Sequence, residues 1–299
     1  MPYQYRNPQY YRNAPEPVSR RRPLRKLTAT FIVAAAVGAI IVSHVEAQTA
    51  QTAVVEVSTK KQQVQMAVVR QAGTTIRNII AADTKDTIGV AIENVDTGAT
   101  TLFGSPLQFE AASTEKVLSA ITYYHLVEKG VLSLGAEVGI YPASYQLQQM
   151  INQSDNDSWS AINAAVGGND GLQAYANSIG LQYNIDGNLM SAKDMAVLLT
   201  KLYTGVLLNA DHTKTLLSYM QDTNDETLIP SVLPNALTIY HKYGELFDGT
   251  TNVLHDAAIV TDGSTTYAIV IYSDGKTDEA ARTETITRIA QAALTVCGW

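Results

Sequence analysis

The sequence has a single cysteine in 299 residues, Cys297, so no internal disulfide can brace the fold. On its own that cysteine reads as a small apolar residue of a terminal helix. Histidine is sparse too. The five, His44, His125, His212, His241 and His255, show no metal-ligand spacing, which argues against a zinc site. There is no G-x-S-x-G elbow of the kind an α/β-hydrolase carries, and no P-loop or dinucleotide fingerprint. No cofactor is expected. Charged residues are only 16% against 46% hydrophobic, the balance of an ordinary globular protein with ample core.

The net charge of −7 is unevenly placed. Residues 1–26 hold six Arg and one Lys against one Glu, net +6, which leaves −13 for residues 27–299. A body that acidic argues against nucleic acid as a partner. Residues 1–26, rich in Tyr, Gln, Asn, Pro and Arg, are expected to be a disordered, cytoplasmic basic tail. Leu27–Val42 is then apolar apart from Thr28 and Thr30, with Arg20, Arg21, Arg22, Arg25 and Lys26 directly before it. Basic residues on that side place the N-terminus inside, so 27–45 reads as a signal or anchor helix and the rest as extracytoplasmic. Two fates stay open, because Val45-Glu46-Ala47 would serve as a cleavage site and the run would also serve as a membrane anchor. Ser19–Leu24 is loosely similar to a twin-arginine export signal, with Pro23 where an aromatic is usual.

Residues 46–63, rich in Gln, Thr, Ala and Ser, read as a linker before a helix over about 64–82. Thr87–Val95 and Ala99–Phe103 flank Asp96-Thr97-Gly98 and read as a β-hairpin. From 113 to about 221 the pattern is helical. One helix with Val117, Leu118, Ile121 and Leu126 on a stripe stops at Gly130, and others are expected near 158–166, 170–179, 191–204 and 211–221. Strands return at Leu237–Tyr243, His255–Val260 and Thr265–Tyr272, the last two joined by Asp262-Gly263. A closing helix covers about 278–296. Strands from both ends of the chain can join one antiparallel sheet, so the expected fold is α+β: an antiparallel sheet flanked by helices, with an inserted all-helical lobe, over 64–299.

Three short motifs carry the chemistry: Ser113-Thr114-Glu115-Lys116, Ser154-Asp155-Asn156 and Lys242-Tyr243-Gly244. S-x-x-K recurs at Ser58–Lys61 and Ser273–Lys276, whereas S-x-N and K-x-G each occur once, both downstream of Ser113. At a helix N-terminus Ser113 and Lys116 share one face, within hydrogen-bond reach. A serine hydroxyl needs a base to become a nucleophile, and lysine can be that base only where burial or a second cation keeps it neutral. Lys242 could be that cation, and could also bind a substrate carboxylate. The bland alternatives are an N-cap serine, a capping Ser-Asp-Asn turn and an edge-strand surface lysine. Capping and catalysis can coexist, with Asp155 holding the turn while Ser154 and Asn156 face the cleft. Strand alternation puts Tyr243 opposite Lys242, as a packing residue.

With these motifs in this order, residues 70–299 resemble the class A β-lactamase-like serine hydrolases, relatives of the penicillin-binding D-alanyl peptidases. Phe109–Lys116, Met150–Asn156 and Leu228–Pro234 leading into His241–Gly244 carry the resemblance. It implies Ser113 as nucleophile, Lys116 as base, Ser154 as proton shuttle to the leaving nitrogen, Asn156 as an amide ligand and Lys242 as the carboxylate-side cation. Backbone N–H groups of Ser113 and Glu245 would form the oxyanion hole, with Tyr243 and Gly244 also lining the substrate site. Two departures stand out. Tyr243 replaces the family's usual Thr or Ser, and no glutamate lies between Asn156 and Ser191, where the family places the residue that activates the deacylating water. Leu181–Met190 offers only Asp186 and Asn188 there. The expectation is a serine hydrolase or acyltransferase forming a slowly released acyl-enzyme on β-lactams or D-Ala-D-Ala-type peptides. The contrary reading is a non-catalytic cell-wall-binding protein that keeps the fold.

Overall fold

The computed structural model describes residues 25–247 and 252–299, with side chains from 39 onward except that of Ala53. It divides into two units, 1–63 and 64–299. Helix α1, Arg25–Ala82, takes in the stretch 46–63 expected as an irregular linker. That stretch is helical because it contains neither Gly nor Pro, and its polar Gln, Thr and Ser side chains tolerate an exposed helix. Residues 1–24 of the expected tail lie outside the described residues. Among the described residues no helix is long and apolar enough to cross a membrane.

In the second unit β1 (Asp86–Asn94) and β2 (Thr100–Gly104) form the expected hairpin. After β3 (Gln108–Glu110) comes a 3₁₀ turn, Ala112–Glu115, and α2, Lys116–Glu128. A minimal β4–β5 pair (Glu137–Val138, Tyr141–Pro142) precedes α3 (Ala143–Asn152), α4 (Asn156–Ala165) and α5 (Gly168–Ser178). Helix α3 was not among the expected helices. Two short strands follow, β6 (Tyr183–Asn184) and β7 (Leu189–Ser191), then α6 (Ala192–Tyr203) and α7 (Ala210–Tyr219). Long strands β8 (Thr238–Phe247), β9 (Asn252–Thr261) and β10 (Thr266–Gly275) lead to α8, Glu279–Cys297.

One antiparallel sheet of order β2-β1-β10-β9-β8 unites the two ends of the chain. Strands β9 and β10 read as near-continuous apolar runs because both faces are covered. On one face Ile76 and Ile79 of α1 and Ile286, Ile289 and Leu294 of α8 pack on Val90, Ile269 and Ile271. On the other, α2 and α6 bury Val117, Leu118, Met195 and Leu199 against Ala91, Ile259 and Val270. The helix starts follow capping chemistry. Ser191 accepts from Asp194 N at 3.1 Å and Asp278 from Ala281 N at 3.0 Å, and Gly298 closes α8 with φ 94°. The α+β architecture is the expected one, and the helical lobe α2–α7 sits between β3 and β8.

Candidate active site

The turn that carries Ser113 is built where sheet and lobe meet. Ser113 lies in the 3₁₀ turn rather than at the start of an α-helix, preceded by Ala112 at φ 46°. A left-handed alanine is costly and needs fixing from outside. Asn188 does this: its Nδ2 donates to Ala112 O at 3.2 Å, and its carbonyl accepts from Ala111 N at 2.7 Å. Tyr183 Oη in turn donates to Asn188 Oδ1 at 3.1 Å. Thr114 Oγ1 donates to Ala111 O at 2.7 Å and lies 2.7 Å from Tyr272 Oη of β10. Strand β8 crosses this turn closely enough that a Cβ on Gly244 would come within 2.9 Å of the backbone nitrogens of Ser113 and Thr114. Only glycine fits there, which brings the strand carrying Glu245 N beside Ser113 N.

Lys116 does not bond to Ser113. Its Nζ donates to Ser154 O at 2.7 Å and Asn156 Oδ1 at 2.6 Å, with Ser154 Oγ at 3.4 Å. Those acceptors of the Ser-Asp-Asn turn hold the ammonium, and Ser113 Oγ makes no hydrogen bond among the described residues. Lys242 Nζ reaches the same serine from the sheet side, donating to Ser154 Oγ at 2.9 Å and to Tyr243 O at 2.9 Å. Ser154 Oγ therefore lies between two lysine amines. Ser154 itself is left-handed, φ 55°, and Asp155 holds the turn by accepting from Ser158 N at 2.7 Å. Capping by Asp155 and the lysine contacts of Ser154 and Asn156 coexist in one turn.

Burial tunes both amines. It brings Lys116 down to about 8, against a partial rise from Glu115 and Asp155. Lys242 is fully buried although β8 is an edge strand. Burial first, then the charge of Lys116, pushes it well below the usual lysine range. Desolvation leads the shift at both amines, and the repulsion between the two lysines adds to it at Lys242. Tyr243 packs in the cluster with Leu237 and Ile239, as strand alternation puts it. Lys242 Nζ folds back over the Tyr243 ring, 4.0 Å from its centroid, and Tyr243 Oη donates to Asn224 Oδ1 at 3.1 Å.

Glu115 is a further member that the motif reading passed over. Burial raises its carboxyl to about 7 despite two donors, Ser119 Oγ at 2.6 Å and Trp159 Nε1 at 2.9 Å. It ties α2 to α4, the helix that begins at Asn156. The rival serines are also resolved. Ser58 sits on the exposed side of α1, and Ser273 is fully buried in β10 with its Oγ unpartnered. Asp186 is exposed on a 3₁₀ turn at 185–187. Asn188, Asn224 and Glu115 had no sequence signal beyond residue type, because each acts through backbone or side chains that are distant in the chain or face away from the motif.

A family model described as the beta-lactamase enzyme family matches residues 71–296. No curated protein sequence matches the chain. Among solved structures, that of PBP-A aligns with TM-score 0.68 at 24% identity, over 78% of this chain and 96% of that one. A β-lactamase from Chitinophaga pinensis gives 0.68 at 24%, over 74% and 97%. One from Xanthomonas campestris gives 0.70 at 21%, over 77% and 99%. At such identities these likenesses speak for the fold. The family model, which spans well over half the sequence and contains all three motifs, shows that the chain belongs to the beta-lactamase enzyme family.

Proposed function

We propose that this serine acyl-enzyme hydrolase acts on β-lactams or D-Ala-D-Ala-type peptides outside the cytoplasm and releases its acyl group slowly. Ser113 Oγ attacks the amide carbonyl and its proton passes to neutral Lys116. Ser154 Oγ gives its proton to the leaving nitrogen as the C–N bond breaks and takes one in turn from the Lys116 ammonium, 3.4 Å away. Lys242 faces the substrate carboxylate, an arriving anion restoring the charge that burial disfavours. Asn156 offers its amide, and Ser113 N and Glu245 N receive the developing oxyanion. The observation that carries this reading is Ser154 Oγ placed between the amines of Lys116 and Lys242, at 3.4 and 2.9 Å.

Slow release follows from where the carboxyls are. Glu115 has both oxygens engaged by donors inside the lobe, and Asp186 is turned to solvent. A positioned general base contributes about 10²–10⁴-fold, so its loss converts a hydrolase into an acyl trap or slow acceptor. Intact-protein mass spectrometry after mixing with a penicillin tests both parts. The adduct should form on wild type, persist for minutes or longer, and be absent from Ser113→Ala. Equal labelling of Ser113→Ala would remove the nucleophile assignment, and rapid return to the unmodified mass would remove slow release. A wild type that never forms the adduct would instead support a binding protein that has kept the fold.

A further inference from the structure

Behind Lys242 lies a buried charged cluster that the reaction above does not use. His241 is fully buried, and its backbone N–H donates to Met220 O at 2.8 Å. Its Nδ1 meets Asp256 Oδ1 at 3.0 Å, and its Nε2 meets Glu226 Oε1 at 3.1 Å and Thr223 Oγ1 at 3.0 Å. With a carboxylate at each ring nitrogen, both nitrogens donate and the ring is an imidazolium. Asp256, equally buried, accepts with its other oxygen from Ile229 N at 3.0 Å. Glu226 Oε1 also accepts from Thr223 N at 2.6 Å. One cation thus pins both ends of segment 223–229 to strands β8 and β9.

That segment carries Asn224. Its Oδ1 accepts from Tyr243 Oη at 3.1 Å, its Nδ2 donates to Gln153 O at 3.1 Å, and its backbone N–H donates to Asn152 O at 3.1 Å. Gln153 precedes Ser154 and Tyr243 follows Lys242, so Asn224 joins the second and third motifs. We propose that His241 is a positioning residue for acylation, acting through Glu226 to hold Asn224 between Gln153 and Tyr243 and so to set Ser154 against Lys242. The proposal rests on the acylating role assigned above to Ser113, Lys116 and Ser154.

Protonation supports the geometry. Burial alone would discharge the ring, but Asp256 and Glu226 outweigh it and carry His241 up to about 9. At Glu226 burial is outweighed in the same way, chiefly by His241, and the carboxyl is held below its usual range. The charged groups around the ring are Asp256 from β9, Glu226 from the segment, and next along the chain Lys242 and Asp225. Because the folded value lies above the ordinary 6.5, the clamp is intact below that pH and is lost as pH rises through about 9.

The test compares wild type, His241→Gln, Glu226→Gln, Asn224→Ala and the His241→Gln/Asn224→Ala double variant. Acylation by a fluorescent penicillin is followed across alkaline pH, and hydrogen exchange of 153–156 and 223–229 is read on the same proteins near neutrality. Each variant should acylate about 10- to 100-fold more slowly, the scale of a small misplacement in a catalytic group. Wild type should lose rate above about pH 9, His241→Gln should show no such fall, and the double variant should be no slower than Asn224→Ala alone. Exchange should rise in both segments. Wild-type acylation in folded His241→Gln or Glu226→Gln, or losses that multiply in the double variant, would overturn the proposal. If wild type is not acylated at all, the active-site reading fails separately and exchange decides the clamp. Unchanged protection of 153–156 in Glu226→Gln, whose side chain is 43% exposed and so suits a folded variant, would then overturn it.

Discussion

Lys116 and Lys242 differ from surface lysines chiefly in the loss of water, to which the charge of Lys116 adds at Lys242, and on the function proposed above this brings proton chemistry with serine within reach near neutrality. Lys116 must be neutral to accept the Ser113 proton, and burial brings it to about 8. Below that pH the neutral fraction falls about tenfold per unit, so the acylation rate should climb with pH by that factor and level off near 8. Stopped-flow labelling with a penicillin from pH 5.5 to 8.5 measures it; a rate flat from 6 to 8 would exclude Lys116 as the base. The same shift acts on stability. An unfolded lysine holds its proton to about 10.5 while the folded one releases it near 8, so the Lys116 contribution makes the fold more stable as pH rises between those values.

Two contacts between elements hold the motif residues in register. The first is β8 against the Ser113 turn at Gly244, where a Cβ would press on the backbone nitrogens of Ser113 and Thr114 at 2.9 Å. Backbone cannot step aside as a flexible side chain would. Gly244→Ala should push the strand away, spoil the oxyanion site and slow acylation by about 10²-fold or more with the fold retained; penicillin labelling with circular dichroism measures both. A fully active Gly244→Ala would show that β8 approaches less closely. The second is Glu115, which joins α2 to α4 through Trp159 Nε1. Trp159→Phe leaves a buried carboxyl short of a donor and should cost about 1–3 kcal/mol. Thermal and urea denaturation would register it as a lower midpoint at pH 8, and an unchanged midpoint would mean that the carboxyl finds another donor.

At the scale of the molecule, every residue of the site lies in the unit 64–299, whose sheet is closed by pairing β1 with β10. The segment before it bears on where the enzyme works. Six arginines and a lysine precede the apolar run at 27–42, and from that placement of charge we propose that residues 1–26 lie inside. Protease added to intact cells should therefore degrade the body and spare any retained tail. A body protected in intact cells and recovered in the cytosolic fraction would refute that topology.

Local chemistry was legible in the sequence wherever a signal spans only a few residues. The β1–β2 and β9–β10 hairpins follow from Asp96-Thr97-Gly98 and Asp262-Gly263, and Ser191 and the glycine stop at 130 mark helix ends. The three motifs likewise singled out Lys116, Ser154 and Lys242, which the fold brings together, and Ser113, to which Lys116 makes no bond. Helix α3 escaped although its signal is local: Ala143, Leu147, Met150 and Ile151 recur at helical spacing on one buried face. Stretch 46–63 escaped because composition does not separate a polar helix from a linker. The rest was decided by tertiary structure. That Lys116 leaves Ser113 for the Ser154 turn, that Lys242 bends over Tyr243, and that Asn188 and Asn224 fix turns 76 and 71 residues away are outcomes of packing. Desolvation and long-range hydrogen bonds depend on which groups exclude water from one another, and no short stretch of sequence contains that information.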